Sequence, residues 1–167
     1  MTSKIYSAVL AGTAVLAATL SATGAEAATA SATARARVLR ALTLTNDNRP
    51  LDFGAVVAVA TPGTVTIDSA GTRSACTGGI SCSGSVSAAL FDLTGTATEV
   101  VTIDAAASVT LTSGLNTMSA TLSESTTSTT LDATGAGSFA VGGTLTVAAN
   151  QAEGVYTGTF NVTANYQ

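Results

Sequence analysis

The 167-residue chain has no histidine and no tryptophan, only two prolines and two cysteines, and charged side chains at 10% of its positions. Without histidine there is no Ser–His–Asp or Cys–His arrangement, and no lysine stands where it would activate a lone serine. A zinc site asks for about four ligands, and two cysteines with no histidine do not supply them. Four of the five arginines lie in one short stretch (Arg35, Arg37, Arg40, Arg49), so there is no basic surface for nucleic acid. A carboxylate pair for glycoside hydrolysis needs proximity in space that a sequence does not display. Here the acids are scattered singly, mostly at expected strand ends such as Asp68 and Asp104, where they serve as turn residues. "TNDNRPLD" could offer Asn46, Asp47, Asn48 and Asp52 to calcium, but it lacks the spacing of a calcium loop and reads as an Asx-rich turn. "NVT" at 161–163 matches a glycosylation sequon in mid-strand, and "GGTLTV" is a turn into a strand without phosphate-loop context. The expectation is a non-enzyme with no catalytic residue, no cofactor and no metal.

What the chain does have starts with a leader. "MTSKIYSAVLAGTAVLAATLSATGAEA" places Lys4 in a short polar start, an apolar and small-residue run through Leu20, and the small-x-small site Ala25-Glu26-Ala27. That is the layout of a secretory signal peptide over 1–27, cleaved after Ala27. The apolar run is shorter and richer in Ala and Thr than the roughly 20 residues of a membrane span, and no stop-transfer charges follow. The exported chain then begins at Ala28, passes the periplasm and ends outside the cell or on its surface. Losing Lys4 and Glu26 leaves the net charge of −4 unchanged. The remaining length suits one domain with a core, and no membrane span or basic amphipathic helix follows the leader.

Cys76 and Cys82 sit in "ACTGGISCSG", with the adjacent glycines Gly78 and Gly79 allowing a tight turn between them. In an oxidising compartment the pair reads as a local disulfide. Its short loop limits the stabilisation to below about 3 kcal/mol in the chain-entropy account. A redox role would need a depressed thiol pKa, and neither cysteine has a basic residue or helix start beside it.

The rest is strand and turn. Candidate strands are 38–45, 53–59, 64–68, 85–93, 98–104, 107–113, 117–123, 138–148 and 155–166. Alternation is plain in Val65 and Ile67, in Val109 and Leu111, in Met118, Ala120 and Leu122, and in Phe139, Val141, Leu145 and Val147. Gly, Asn, Asp and Ser punctuate the gaps, and no i, i+3, i+4, i+7 apolar pattern survives beyond the leader. Short strands without alternating helices argue for an antiparallel sandwich. In the last segment Tyr156, Gly158, Phe160, Val162, Ala164 and Tyr166 are apolar or small, and every residue between is polar. Such a strand has one dry face, with Tyr156, Phe160, Val162 and Tyr166 toward the core. It must also pair with something, in its own molecule or in a neighbour.

"LTLTNDNRPLDFGAVVA", "GTVTID", "VTLTSGLNTMSATL" and "FAVGGTLTVAANQAEGVYTGTFNVTANYQ" together resemble a family of small secreted proteobacterial proteins, itself a domain of unknown function. That family is similar in turn to spore coat protein U and to the pilins of chaperone–usher pathways. The likeness spans 42–167; the Cys76–Cys82 loop departs from it as an insertion-like feature. For pilins the resemblance implies an immunoglobulin-like sandwich that lacks its last strand. A periplasmic chaperone holds each subunit, an outer-membrane usher assembles them, and a neighbour's N-terminal segment replaces the missing strand.

The N-terminus fits such a role. In 28–41, ahead of a domain over 42–167, one face carries Ala28, Ala30, Ala32, Ala34, Ala36 and Val38. The other carries Thr29, Ser31, Thr33, Arg35 and Arg37. An extended segment of this kind can add to a sheet edge through main-chain hydrogen bonds while one face enters a groove. The leading expectation is therefore a fibre or coat subunit whose partners are copies of itself or related subunits. The second is a self-contained secreted module that binds a surface glycan or protein. A third, a Thr-patterned ice- or surface-binding protein, is disfavoured because pairs such as Thr64 and Thr66, or Thr144 and Thr146, recur irregularly.

Overall fold

The computed structural model describes residues 27–167, so the expected leader lies outside the described residues except for Ala27. The chain divides into two units, Met1–Ala36 and Arg37–Gln167. Within the first, residues 27–36 are exposed and belong to no strand. The second unit is built of strands: β1 (Thr43–Asn46), β2 (Ala55–Val57), β3 (Gly63–Ile67), β4 (Arg73–Cys76), β5 (Ser81–Ser83) and β6 (Ala89–Thr94). They continue with β7 (Val100–Ala105), β8 (Ser108–Ser113), β9 (Asn116–Glu124), β10 (Ser128–Thr130), β11 (Ala136–Val147) and β12 (Val162–Tyr166). No helix occurs among the described residues, as a Thr- and Val-rich chain without helical periodicity would suggest. Nor, therefore, is any described helix long and apolar enough to cross a membrane.

Every pairing is antiparallel, and the sheets form an antiparallel β-sandwich. The larger sheet runs β1-β6-β11-β3-β4, with β9 also on β11 and β8 on β9. A second sheet runs β10-β7-β12, and β2 with β5 makes a separate ribbon. The 12-residue β11 joins the halves of the larger sheet. Its first half, Ala136 to Val141, pairs with β6, and its second half, Gly143 to Val147, pairs with β3. Gly142 and Gly143 mark the changeover. A Cβ added at Gly142 would stand 2.5 Å from the Ile67 carbonyl oxygen, and one at Gly143 would stand 2.6 Å from that of Thr121. Neighbouring backbones come too close there for any side chain.

The core has two lobes. One gathers Val65, Ile67, Val109, Met118, Leu145 and Val147; the other gathers Leu93, Val101, Ile103, Leu131, Phe139 and Val141. Leu51, Leu122 and Phe160 pack against both. Most strand positions expected from alternation lie where the period puts them. Three strands carried no apolar alternation to find them by. β4 and β5 flank the disulfide loop, and β10 is the polar triplet Ser128, Thr129, Thr130.

Several boundaries differ from the sequence expectation, among them β2 at 55–57 rather than 53–59, β6 at 89–94 rather than 85–93, and both ends of the domain. The first strand begins at Thr43 rather than at residue 38, because side-chain and main-chain ties at Arg37 and Arg40 hold the chain ahead of it. The last strand is 162–166 rather than 155–166. Upstream of Val162 the chain leaves the β7 edge, touching β8 through a single bridge, Thr157 to Thr112.

Candidate functional site

The second half of β11 lies beside β9, which pairs with β8, and their inner face presents Leu111, Met118, Leu145 and Val147. They stand at the base of a groove of about 910 Å³, lined besides by residues 51–58 and 151–156; Met118, Leu145 and Val147 are buried there and Leu111 is half-buried. On one flank β2 is drawn into its ribbon with β5 rather than into either larger sheet. On the other, the chain leaves β11 and turns at Asn150, whose φ of 51° is a left-handed conformation that asparagine tolerates. The Asn150 N–H donates to the Val59 carbonyl at 2.8 Å, tying the two flanks at one end.

Beyond Gln151, whose N–H donates to the Ala148 carbonyl at 3.2 Å, the main-chain donors are without partners as far as Thr157. Among the described residues, no N–H of residues 152–156 donates to a backbone or side-chain acceptor. Side chains shape the segment instead. Gln151 Nε2 donates to Tyr156 Oη at 2.8 Å, and the Tyr156 hydroxyl donates to the Ala152 carbonyl at 2.8 Å. Val155 is 82% exposed. The segment bends at Gly154, and its free backbone donors beside an apolar groove are what an open sheet edge offers. The groove's charged margins are both acidic: Asp52 on one flank and Glu153 on the other, each exposed. Asp52 Oδ1 also accepts the Gly54 N–H at 2.8 Å.

The final segment keeps the alternation read from sequence except at Gly158, which is exposed. Tyr156, Phe160, Val162, Ala164 and Tyr166 are half-buried, while Thr157, Thr159, Asn161, Thr163 and Asn165 are exposed. None of the five is fully buried. Tyr156 packs on the first lobe, Val162 and Tyr166 on the second, and Phe160 on both. Phe160 meets Phe91 edge-on at 6.2 Å between ring centroids. β12 finds its partner in its own molecule, with Ala164 opposite Ile103 on β7. Upstream of Asn161 the segment pairs only at the Thr157–Thr112 bridge.

Of the candidate donor face, Ala30, Ala32, Ala34 and Ala36 lie in the exposed stretch outside any strand. Val38, in the second unit, is 93% exposed. It is turned outward because its neighbours are tied down. Arg37 pairs with Glu99, the Arg40 N–H donates to Thr96 Oγ1 at 2.7 Å, and the Tyr166 hydroxyl donates to the Arg40 carbonyl at 2.9 Å. Tyr166 Oη also accepts the Thr96 N–H at 2.7 Å. One phenol therefore joins the start of the domain to its last strand.

Cys76 and Cys82 form the expected disulfide, with Cα atoms 6.4 Å apart. Their loop is exposed save for Ile80, which is buried in the first lobe. The "TNDNRPLD" stretch is a turn: Asn46 Nδ2 donates to the Leu90 carbonyl, and Asn48 has φ of 50°. No group of three or more His, Cys, Asp or Glu suited to a metal occurs among the described residues. Sequence reasoning found the side chains at the groove's base as core positions, and Met118, Leu145 and Val147 are buried there; it did not find the groove beside them.

The family model for a domain of unknown function (DUF4402) matches residues 42–166, so the chain belongs to that family. No curated protein matches the chain, and no solved structure does.

Proposed function

We propose that this member of the DUF4402 family is a structural subunit of an extracellular fibre or surface coat, in which each copy completes its neighbour by β-strand complementation. The observation that carries the reading is that the N–H groups of 152–156 have no acceptor in the molecule and stand beside an apolar groove. A strand laid there gives those N–H groups acceptors and covers the exposed groove residues Val57 and Val155, so hydrogen bonding and apolar burial favour the same event. No catalytic group is required. The sequence likeness to spore coat protein U and to chaperone–usher pilins supports the same assignment. So does the leader-like N-terminus, which directs the chain to the periplasm, where a chaperone would shield the groove until an usher supplies the next subunit.

The competing reading is a self-contained secreted module that holds a partner protein or glycan in the groove. Its only aromatic side chains are Phe53 and Tyr156, and Phe53 is buried, which leaves little platform for a sugar ring. The molar mass of the purified exported chain in solution separates the readings. Complementation predicts concentration-dependent oligomers that disappear when residues 28–36 are deleted. A monodisperse monomer, equally stable with or without those residues, contradicts it and leaves the binding module.

A further inference from the structure

We infer that the Arg35–Ala36 peptide bond is a processing site, cut by an arginine-specific endoprotease so that residues 28–35 leave the exported chain and the domain begins at Ala36. The inference goes beyond the complementation reading and does not depend on it, since it needs only a single copy whose residues 28–36 are exposed. It starts from where the chain keeps its basic side chains. Beyond the expected leader there is no lysine, and the arginines are Arg35, Arg37, Arg40, Arg49 and Arg73. Two of these are closed to such an enzyme. Arg49 is followed by Pro50, whose ring fixes the backbone and removes the N–H on the leaving side of the bond. The Arg49 carbonyl also accepts the Leu90 N–H at 3.3 Å. Arg73 lies in β4, opposite Ile67 of β3. Its Nη2 donates to the Ser83 carbonyl at 2.9 Å and to those of Phe53 and Gly84 at 3.3 Å, and its Nε is buried, so the side chain is not available to a protease's arginine pocket.

The three that remain fall within six residues ahead of β1, and the fold grades them. An endoprotease takes its substrate as an extended strand held by main-chain hydrogen bonds, and the scissile carbonyl must enter an oxyanion hole. At Arg40 that carbonyl accepts the Tyr166 hydroxyl at 2.9 Å, and the N–H donates to Thr96 Oγ1 at 2.7 Å. That bond is blocked on both sides. At Arg37 the guanidinium is paired with Glu99, and the half-buried Leu39 and the tied Arg40 follow on the leaving side. At Arg35 nothing is engaged. Residues 28–36 are exposed and outside any strand, and among the described residues they make no backbone hydrogen bond and Arg35 no ion pair. Ala34 and Ala36 flank it, so no bulky side chain obstructs the bond. Exposed, unpaired chain beside a folded domain is where nicking concentrates. Water adds across the amide: the C–N bond breaks, Arg35 keeps a carboxylate and Ala36 gains an amino group. Arg37 and Arg40 remain tied to the domain after the cut.

Trypsin serves as the probe, acting on the full exported chain at dilutions where light scattering shows a single copy. Intact mass and N-terminal sequencing should find one early product that begins at Ala36, with the domain uncut. Arg35→Gln should abolish that product and move the first cut to the Arg37–Val38 bond. Glu99→Gln releases the Arg37 guanidinium. It should speed the cut after Arg37 by about two- to fivefold, an exposed ion pair being worth little, and leave the cut after Arg35 unchanged. In the cells that export the protein, the mature chain should begin at Ala36, and with Arg35→Gln it should no longer do so. A first cut after Arg40 or Arg73, or a chain that resists trypsin throughout residues 35–41, would overturn the inference. So would mature protein beginning at Ala28 in the exporting cells. Each of these results leaves complementation standing, because that reading is tested by the oligomeric state and not by the cut.

Discussion

Phe160 touches both lobes of the core and the edge of the Phe91 ring, yet it is only half-buried. Truncation to alanine should therefore cost about 2–3 kcal/mol, short of the ~3–5 expected for a fully enclosed phenylalanine. Thr159, its exposed neighbour, should tolerate serine within about 0.5 kcal/mol. Urea unfolding of the two variants measures both, and equal effects would contradict the register. Tyr166→Phe removes the hydroxyl shared by Thr96 and Arg40, leaving the ring in place. It should lower stability by about 1–2 kcal/mol in the same assay and loosen the attachment of residues 37–40. The faces of Phe160 and Tyr166 were legible in the sequence because a two-residue period is a local signal. The partners of the Tyr166 hydroxyl were not, since Thr96 and Arg40 come from 70 and 126 residues away.

Between β10 and β11 the turn is organised by one carboxylate. Asp132 Oδ1 accepts the Thr134 hydroxyl and the N–H groups of Thr134 and Ala136, at 2.7, 2.7 and 2.9 Å. These bonds, that of the Thr134 side chain foremost, hold its pKa below the ordinary 3.8. A carboxyl whose pKa is lowered by folding adds stability above its unfolded pKa and loses it as pH falls through the lower folded value. Asp132→Asn should therefore be less stable than the native protein at pH 7. The gap should close as acid is added from 3.8 downward, as thermal melts across that range would show. The Cys76–Cys82 bridge is also local. Replacing both with serine should cost less than about 3 kcal/mol and leave assembly intact, part of the loss falling on Ile80 inside the loop. Strands with an apolar face could be read from the sequence. β4, β5 and β10 could not, because what fixes them is a crosslink or a neighbour's main chain rather than their own side chains.

For the whole molecule, the sandwich class followed from strand spacing and the absence of helical periodicity, but the groove did not. Leu111, Met118, Leu145 and Val147 read as core in any sandwich, complete or not. Only the fold reveals that β2 goes to β5, that the last strand begins at Val162, and that 152–156 is left with free donors. If a neighbour's strand fills that place, a peptide copying residues 28–38 should raise the melting temperature of the chain lacking residues 28–36, by mass action. Ala32→Asp in that peptide should abolish the effect and Thr33→Ser should not, since one face enters the groove and the other does not. Hydrogen exchange tests the central claim most directly. Amide exchange at residues 152–156 is to be followed in the full exported chain and in the chain lacking residues 28–36. Complementation predicts fast exchange throughout this segment in the shortened chain, and slowed exchange at alternate residues of it in the full chain at assembling concentrations. Exchange that is equally fast in both, under conditions where the full chain is oligomeric, would contradict the account.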